Sequence, residues 1–255
     1  MLALKDLKAR VSDDVELLHE GQVFYLVLNG KKDNTFNAKK IAKISALLDK
    51  VSNSTGPAVL VTVSTNPKRF STGFDLDYWA ADPRNVVVSI AAMQKLLAKI
   101  LTLNVPTLAV TEGHVYAGGL IFAMCHDFRI GNVTGKGRWC LSEINIGRPL
   151  PIIYSEIIRE TMPKQASRTL LMGPALSCKE VHELGVTSGV YSSEEEKQAA
   201  VAAFVKVYAE KANHRHTLQY IKKRLHENLI NRMARECLTD VELGEMMPEA
   251  EEPKL

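Results

Sequence analysis

The stretch Glu112-Gly113-His114-Val115-Tyr116-Ala117-Gly118-Gly119-Leu120-Ile121-Phe122-Ala123-Met124-Cys125-His126-Asp127 joins two unlike segments. Before it, Pro106 to Thr111 has the content of a short buried strand. After the glycines, Leu120 to Cys125 is apolar on almost every side, as a fully buried helix is. Gly118 and Gly119 therefore fall at a helix N-terminus, where the first backbone N–H groups have no partner within the helix and the macrodipole is positive. Two readings follow. Ala117, Gly118 and Gly119 are small so that strand and helix pack tightly, or they let a negatively charged group approach the free N–H groups.

Composition narrows the class. With 46% apolar and 24% charged residues over 255 positions, the chain can bury a sizeable core and is of ordinary soluble, globular type. A net charge of +3, with no clustering of Lys and Arg among aromatics, gives no nucleic-acid surface. Cys125, Cys140, Cys178 and Cys237 are scattered without a Cys-x-x-Cys pair, which indicates neither a zinc site nor a disulfide framework and suits a reducing compartment. No metal ligand set is expected, and His114 and His126, flanking the buried helix, read as structural. Residues 1–11 mix Leu and Ala with Lys5, Asp6, Lys8 and Arg10, unlike a secretory apolar core, and no apolar run reaches membrane-spanning length.

Working outward, Val23 to Leu28 reads as a first strand closed by Asn29-Gly30. Asn37 is placed to cap a helix whose Ile41, Ile44, Leu47, Leu48 and Val51 share one face. Ala58 to Val63 is apolar enough to be covered on both faces, as in a parallel sheet. A helix is expected from about Val86 to Leu103, then strands at Thr107, Phe128 and Trp139. This alternation predicts parallel strands joined by right-handed crossovers through about residue 150. Beyond it the chain turns helical: Pro163 opens one helix, Ser177 with Glu180 and Ser193 with Glu196 form capping boxes, and a last helix is predicted over Thr217 to Cys237. Its stripe of Leu218, Ile221, Leu225, Leu229 and Met233 faces either the core or another subunit.

Two further pieces bear on chemistry. Phe70-Ser71-Thr72-Gly73-Phe74-Asp75-Leu76 follows a buried strand directly. It is either a turn with Gly73 in a special conformation and Asp75 as a cap, or a device that turns the Phe74 N–H toward a ligand. Leu141-Ser142-Glu143-Ile144-Asn145-Ile146-Gly147 sets one carboxylate among apolar residues, where burial disfavours the charged form.

These three segments, in this order and with Asp127 at the expected distance, resemble the crotonase (enoyl-CoA hydratase/isomerase) family over nearly the whole chain. Within it, Ser142 to Pro151 is most similar to the Δ3,Δ2-enoyl-CoA isomerases of plant peroxisomal type. The resemblance implies an α/β fold, a spiral of ββα turns over residues 1–190, followed over 191–255 by a C-terminal helical oligomerisation region that builds homotrimers or dimers of trimers. It implies an acyl-CoA thioester as ligand, CoA being part of the substrate and no separate cofactor being needed. The backbone N–H groups of Phe74 and Gly118 would form an oxyanion hole, and Glu143 would be the base. Ser71, Thr72, Gly73, Asp75, Leu76, Gly119, Ile121, Ser142 and Ile146 would surround the substrate.

Similar hydratases carry a second glutamate three residues after the Gly118 position; this chain has Ile121. Adding water takes two carboxylates, whereas shifting a double bond takes one base that moves a proton. The resemblance therefore implies isomerisation of 3-enoyl-CoA, with another crotonase reaction (hydration or thioester hydrolysis) or a non-catalytic subunit as alternatives. The corner reads Ala-Gly-Gly where the family often has three glycines, and Arg148 is placed at the pocket mouth. For the CoA phosphates, Lys68, Arg69 and Lys222 are the basic candidates. Pro253-Lys254-Leu255 is similar to the peroxisomal Ser-Lys-Leu address, which makes the peroxisome the expected compartment and the mitochondrion the alternative.

Overall fold

A computed structural model describes residues 2–30 and 33–235. The elements, in order, are β1 (Val15–Glu20), β2 (Val23–Leu28), α1 (Ala38–Ser52), β3 (Val59–Ser64), β4 (Arg69–Ser71), α2 (Leu76–Ala81) and α3 (Arg84–Leu101). Then come β5 (Thr107–Thr111), β6 (His114–Tyr116), α4 (Gly118–Met124), β7 (Phe128–Asn132) and β8 (Trp139–Cys140). The chain continues through α5 (Ile152–Thr161), α6 (Lys164–Leu170), α7 (Cys178–Glu183), β9 (Gly189–Tyr191), α8 (Glu194–Tyr208), α9 (Arg215–Leu225) and α10 (Glu227–Arg235).

The strands divide between two sheets. Six form the order β1-β2-β3-β5-β7-β9, antiparallel only at the β1-β2 hairpin, and three form a small parallel sheet β4-β6-β8. Each strand pair β3/β4, β5/β6 and β7/β8 thus gives one member to each sheet, which is the spiral the resemblance implies. The large sheet is covered on both faces. Phe24, Leu26, Leu28 and Leu60 pack with α1, α3 and α4 on one side, while Tyr25, Val27, Val61 and Val110 pack with α8 on the other. That two-sided burial is why these strands read as continuous apolar runs.

Several local expectations hold. Asn37 caps α1 by accepting the Lys40 N–H at 3.0 Å, and Ser177 with Glu180 closes a reciprocal capping box on α7. The sequence does not announce β1, because Val15-Glu16-Leu17-Leu18-His19-Glu20 is charged and only loosely alternating. Its strand character comes from pairing with β2, from Val15 opposite Leu28 to Glu20 opposite Val23, through a turn at Gly21, φ 57°.

The predicted last helix is two. His226, at φ −105° and ψ 22°, ends α9 and resets the phase before α10. Leu229 and Met233 consequently enter the core against α3 and α5, whereas Ile221 and Leu225 are 58% and 69% exposed. The stripe serves the core at one end and faces outward at the other. Cys237, the acidic tail and Pro253-Lys254-Leu255 lie outside the described residues.

Candidate active site

The site lies at the C-terminal ends of β4, β6 and β8. β4 runs into Ser71-Thr72-Gly73-Phe74, β6 into Ala117-Gly118, and β8 into Ser142-Glu143. The three segments meet through their glycines. Gly73 adopts φ +91°, and a Cβ there would stand 2.8 Å from the Gly118 nitrogen; a Cβ on Gly118 would stand 3.5 Å from the Gly73 Cα. Backbone is thus packed on backbone, with no side chain between. A Cβ on Gly119 would be 2.5 Å from the Ser71 carbonyl oxygen, so this glycine is needed for the approach of α4 to β4.

Each segment is also tied by hydrogen bonds. The Ser71 hydroxyl donates to the Asn34 carbonyl at 2.9 Å and accepts from the Gly73 N–H at 3.2 Å. Asp75 caps α2 by accepting the Tyr78 N–H at 3.0 Å. The Phe36 N–H donates to the Gly73 carbonyl at 2.8 Å and the Asp75 N–H to the Phe36 carbonyl at 3.0 Å, so the chain on both sides of Phe74 is held. Among the described residues no protein acceptor faces the N–H of Phe74 or of Gly118.

Ala117 stands at φ 49° and ψ −127°, a region a side chain rarely occupies. Its N–H donates to the Cys140 carbonyl at 2.9 Å, and its own carbonyl accepts from the Leu120 and Ile121 N–H groups at 2.9 and 3.2 Å. The corner therefore forms without its third glycine at a conformational cost of about 1–3 kcal/mol.

Opposite these donors, a cleft of about 610 Å³, counted to its open mouth, is lined by Thr72, Phe74 and Gly118 on one side and Ser142, Glu143 and Ile146 on the other. Glu143 precedes a single turn of 3-10 helix, Ile144–Ile146, closed by Gly147 at φ 62°. Its carbonyl accepts the Arg148 N–H at 2.9 Å, and Asn145 pins the turn by donating from Nδ2 to the Gly173 carbonyl at 2.8 Å. The carboxylate oxygen Oε2 is buried with no hydrogen-bond partner. Burial raises the Glu143 pKa, and a bond from its own backbone N–H offsets part of that rise.

Of the residues singled out from sequence, Thr72, Phe74, Leu76, Gly118, Ser142, Glu143 and Ile146 line this cleft. Ser71, Gly73, Asp75, Gly119 and Ile121 stand behind its wall and set its shape, Ile121 being wholly buried in the core. The basic candidates are elsewhere. Lys222 is 7% exposed and ion-paired with Asp127 at 2.5 Å while donating to the Val105 carbonyl at 3.0 Å, so its ammonium is committed inside the protein. Arg69 opens β4 and Lys68 immediately precedes it, about 7 and 10 Å of extended chain from Ser71. They line a separate cleft with Gly113, His114 and Lys136, and Arg69 is paired with Asp33 at 2.5 Å.

The structure adds two aromatic residues that no motif marked. Trp79 of α2 and Tyr154 of α5 flank the Phe74 ring, with centroids 4.7 and 6.2 Å away, and both line the cleft. Arg148 does stand at the cleft, as expected. His126 is structural: Nδ1 lies 3.0 Å from the Phe122 carbonyl and Nε2 2.8 Å from the Thr62 hydroxyl. Burial pulls its pKa down to about 4, so the neutral ring donates from Nδ1 and accepts at Nε2. Among the described residues no three His, Cys, Asp or Glu side chains gather in a way that would hold a metal, and no helix is long and apolar enough to cross a membrane.

Two N–H groups without protein acceptors and one partly buried carboxylate thus line the same cleft. The profile of the family described as enoyl-CoA hydratase/isomerase matches residues 19–254. The chain belongs to this family. Among curated relatives, it is 33% identical to "Enoyl-CoA delta isomerase 2, peroxisomal" of Arabidopsis thaliana, over 69% of this chain and 76% of the relative. It is 31% identical to "Enoyl-CoA delta isomerase 3" of the same plant, over 82% and 90%. Among solved structures, the human mitochondrial delta3-delta2-enoyl-CoA isomerase superposes with a TM-score of 0.81 at 20% identity, covering 92% of this chain and 90% of that one. The crotonase fold expected from the three motifs is thereby established.

Proposed function

We propose that the protein isomerises 3-enoyl-CoA to 2-trans-enoyl-CoA, with Glu143 as the single base and the Phe74 and Gly118 N–H groups as the oxyanion hole. The observation that carries this reading is that Glu143 is the one carboxylate lining the cleft among the described residues, while the position one helical turn into α4 holds the buried Ile121. Proton removal from C2 pushes charge onto the thioester oxygen. Two preorganised donors stabilise that charge, each worth on the order of 10²–10³ in rate. The same carboxyl group returns the proton at C4, and a pKa raised by burial suits a group that must both take and give. With no second acid to hold water, the proton shift is favoured over hydration.

The relatives' names support an acyl-CoA delta isomerase and name both peroxisome and mitochondrion as compartments. We take the peroxisome from Pro253-Lys254-Leu255, testable by whether a fluorescent protein carrying the tail is imported with and without its last three residues. Homotrimers or dimers of trimers fit the exposed Ile221 and Leu225 on α9; mass measurement in solution tests this.

Conversion of a 3-enoyl-CoA to the conjugated product, followed by ultraviolet absorbance, tests the activity. Glu143→Gln is expected to lose on the order of 10²–10⁴ in kcat while still binding the ester. In the wild type, kcat/KM should fall as pH drops through the pKa of free Glu143, which lies above the ordinary glutamate value of about 4.3. Ligand binding without turnover in the wild type would overturn the reading.

A further inference from the structure

The small sheet has a second end. β4, β6 and β8 finish at the catalytic cleft and begin at a separate one of about 640 Å³, counted to its open mouth, which shares no lining residue with the first. It is walled by the three connections that carry the chain from the large sheet to the small one: Lys68 before β4, Gly113 before β6, and Gly135 to Gly137 before β8. These connections pack main chain on main chain. A Cβ on Gly113 would stand 2.0 Å from the Lys68 carbonyl carbon, and one on Gly137 would stand 2.2 Å from the Gly113 carbonyl oxygen. Lys68 and Lys136 are thereby brought together from different turns of the spiral.

The charges there do not cancel. Arg69 is taken by Asp33, and Glu112, the one carboxylate lining this cleft among the described residues, is taken by Lys197 at 3.1 Å. Among the described residues Lys68, Lys136 and Arg138 form no ion pair. Arg138 Nη1 donates to the Lys136 and Gly137 carbonyls at 3.3 and 3.0 Å, which holds its cation beside the third connection. His114 registers the excess. Its Nδ1 accepts the Arg138 N–H at 3.2 Å, so the neutral ring keeps its proton on Nε2 as a donor. Burial, with the positive charges of Arg69 and Arg138, holds the His114 pKa below its ordinary value. The N–H groups of Gly113, Lys136 and Gly137 have no protein acceptor among the described residues.

We propose that this second cleft binds a phosphate group, free or as a small phosphate ester, with Lys68 and Lys136 supplying the countercharge and His114 a hydrogen bond. The oxygens of a phosphate dianion only accept, and the cleft offers ammonium, imidazole and peptide donors with no free acceptor charge to repel it. Phosphate alone fills a small part of the space, which leaves room for the organic part of an ester. The ligand would sit at the far end of the strands from the oxyanion hole, about 13 Å of extended chain from His114 to Gly118. The site therefore stands whether or not the catalytic cleft isomerises an enoyl-CoA.

Calorimetric titration of the full chain with inorganic phosphate, at fixed ionic strength and neutral pH, tests this. Saturable binding at one site per chain is expected. Lys68→Ala and Lys136→Ala, both at exposed positions where folding is not at stake, should each weaken it about fivefold. Lys68→Ala combined with Lys136→Glu should abolish it, while acyl-CoA affinity stays at the wild-type value in every variant. Glycerol 3-phosphate as a second titrant separates the sources: tighter binding than phosphate marks an ester as the ligand, and equal binding marks the free anion. No saturable binding of either titrant, binding that survives the combined substitution, or phosphate displaced by one equivalent of acyl-CoA overturns the site.

Discussion

The two walls of the cleft are built in opposite ways. The donor wall is mostly backbone: Gly73 and Gly119 let β4, β6 and α4 approach closely, and the Ser71 hydroxyl and the Asp75 carboxylate hold the loop that carries the Phe74 N–H. The base wall is one exposed turn. Ile144 and Ile146 face outward, and the turn keeps its place through Asn145 and the Arg148 N–H. A tightly packed donor pair and a base on an exposed turn suit the proposed isomerisation, in which the charge would sit in one place while the proton is carried between two. The difference also says where substitutions hurt: on the donor wall they should cost fold, ester affinity and turnover together, and on the base wall turnover with a smaller loss of stability and ester affinity kept.

Gly119→Ala tests the donor wall most severely. Its Cβ would meet the Ser71 carbonyl oxygen at 2.5 Å, and the backbone must shift to admit it. A loss of about 1–3 kcal/mol in unfolding free energy is expected from denaturant titration, with turnover reduced beyond it. On the base wall, Asn145→Ala removes one hydrogen bond and should cost about 1 kcal/mol by the same titration, while kcat falls and ester affinity holds. Equal damage to affinity would break the contrast between the walls. Ala117→Gly relieves the positive φ and should stabilise by about 0.5–1 kcal/mol, the relief exceeding the added freedom of the unfolded chain; a lower melting temperature would show that the corner is unstrained.

The smallest expected effect concerns pH. Burial raises the folded-state pKa of Glu143, so its contribution to stability is fully present below the unfolded value near 4.3 and is lost as pH rises through the folded value. Glu143→Gln removes that dependence. Its melting temperature should gain on the wild type between pH 4 and pH 7, as differential scanning at the two pH values would read.

Much of the donor wall was legible because glycine leaves a signature: at Gly73 and Gly119 a Cβ would run into neighbouring backbone. The two-sided strands were legible for a similar reason, since continuous apolar runs such as Val59 to Val63 have one stable setting. Glu143 was legible only through resemblance, because a carboxylate on a turn looks the same in sequence whether solvated or buried. Trp79 and Tyr154 could not be found at all. Their approach to Phe74 depends on how α2 and α5 fold over the small sheet, and nothing local encodes it. Lys222 misled because a lysine on a helix reads as exposed, and its burial is decided by Asp127, 95 residues earlier.

That pair has a consequence in time. Asp127 accepts from the Thr107 N–H at 2.8 Å and from Lys222 at 2.5 Å, at the foot of the helix that begins with the Gly118 donor. Asp127 is partly exposed, and losing its charged hydrogen-bond partner costs about 1.5–3 kcal/mol. While the chain is being synthesised, every strand of both sheets precedes Lys222, yet the anchor beneath the corner waits for it. A ribosome-held chain that has assembled its sheets is thus still short of one counter-ion, and the glycine corner reaches full stability only after residue 222 has emerged and α9 has docked.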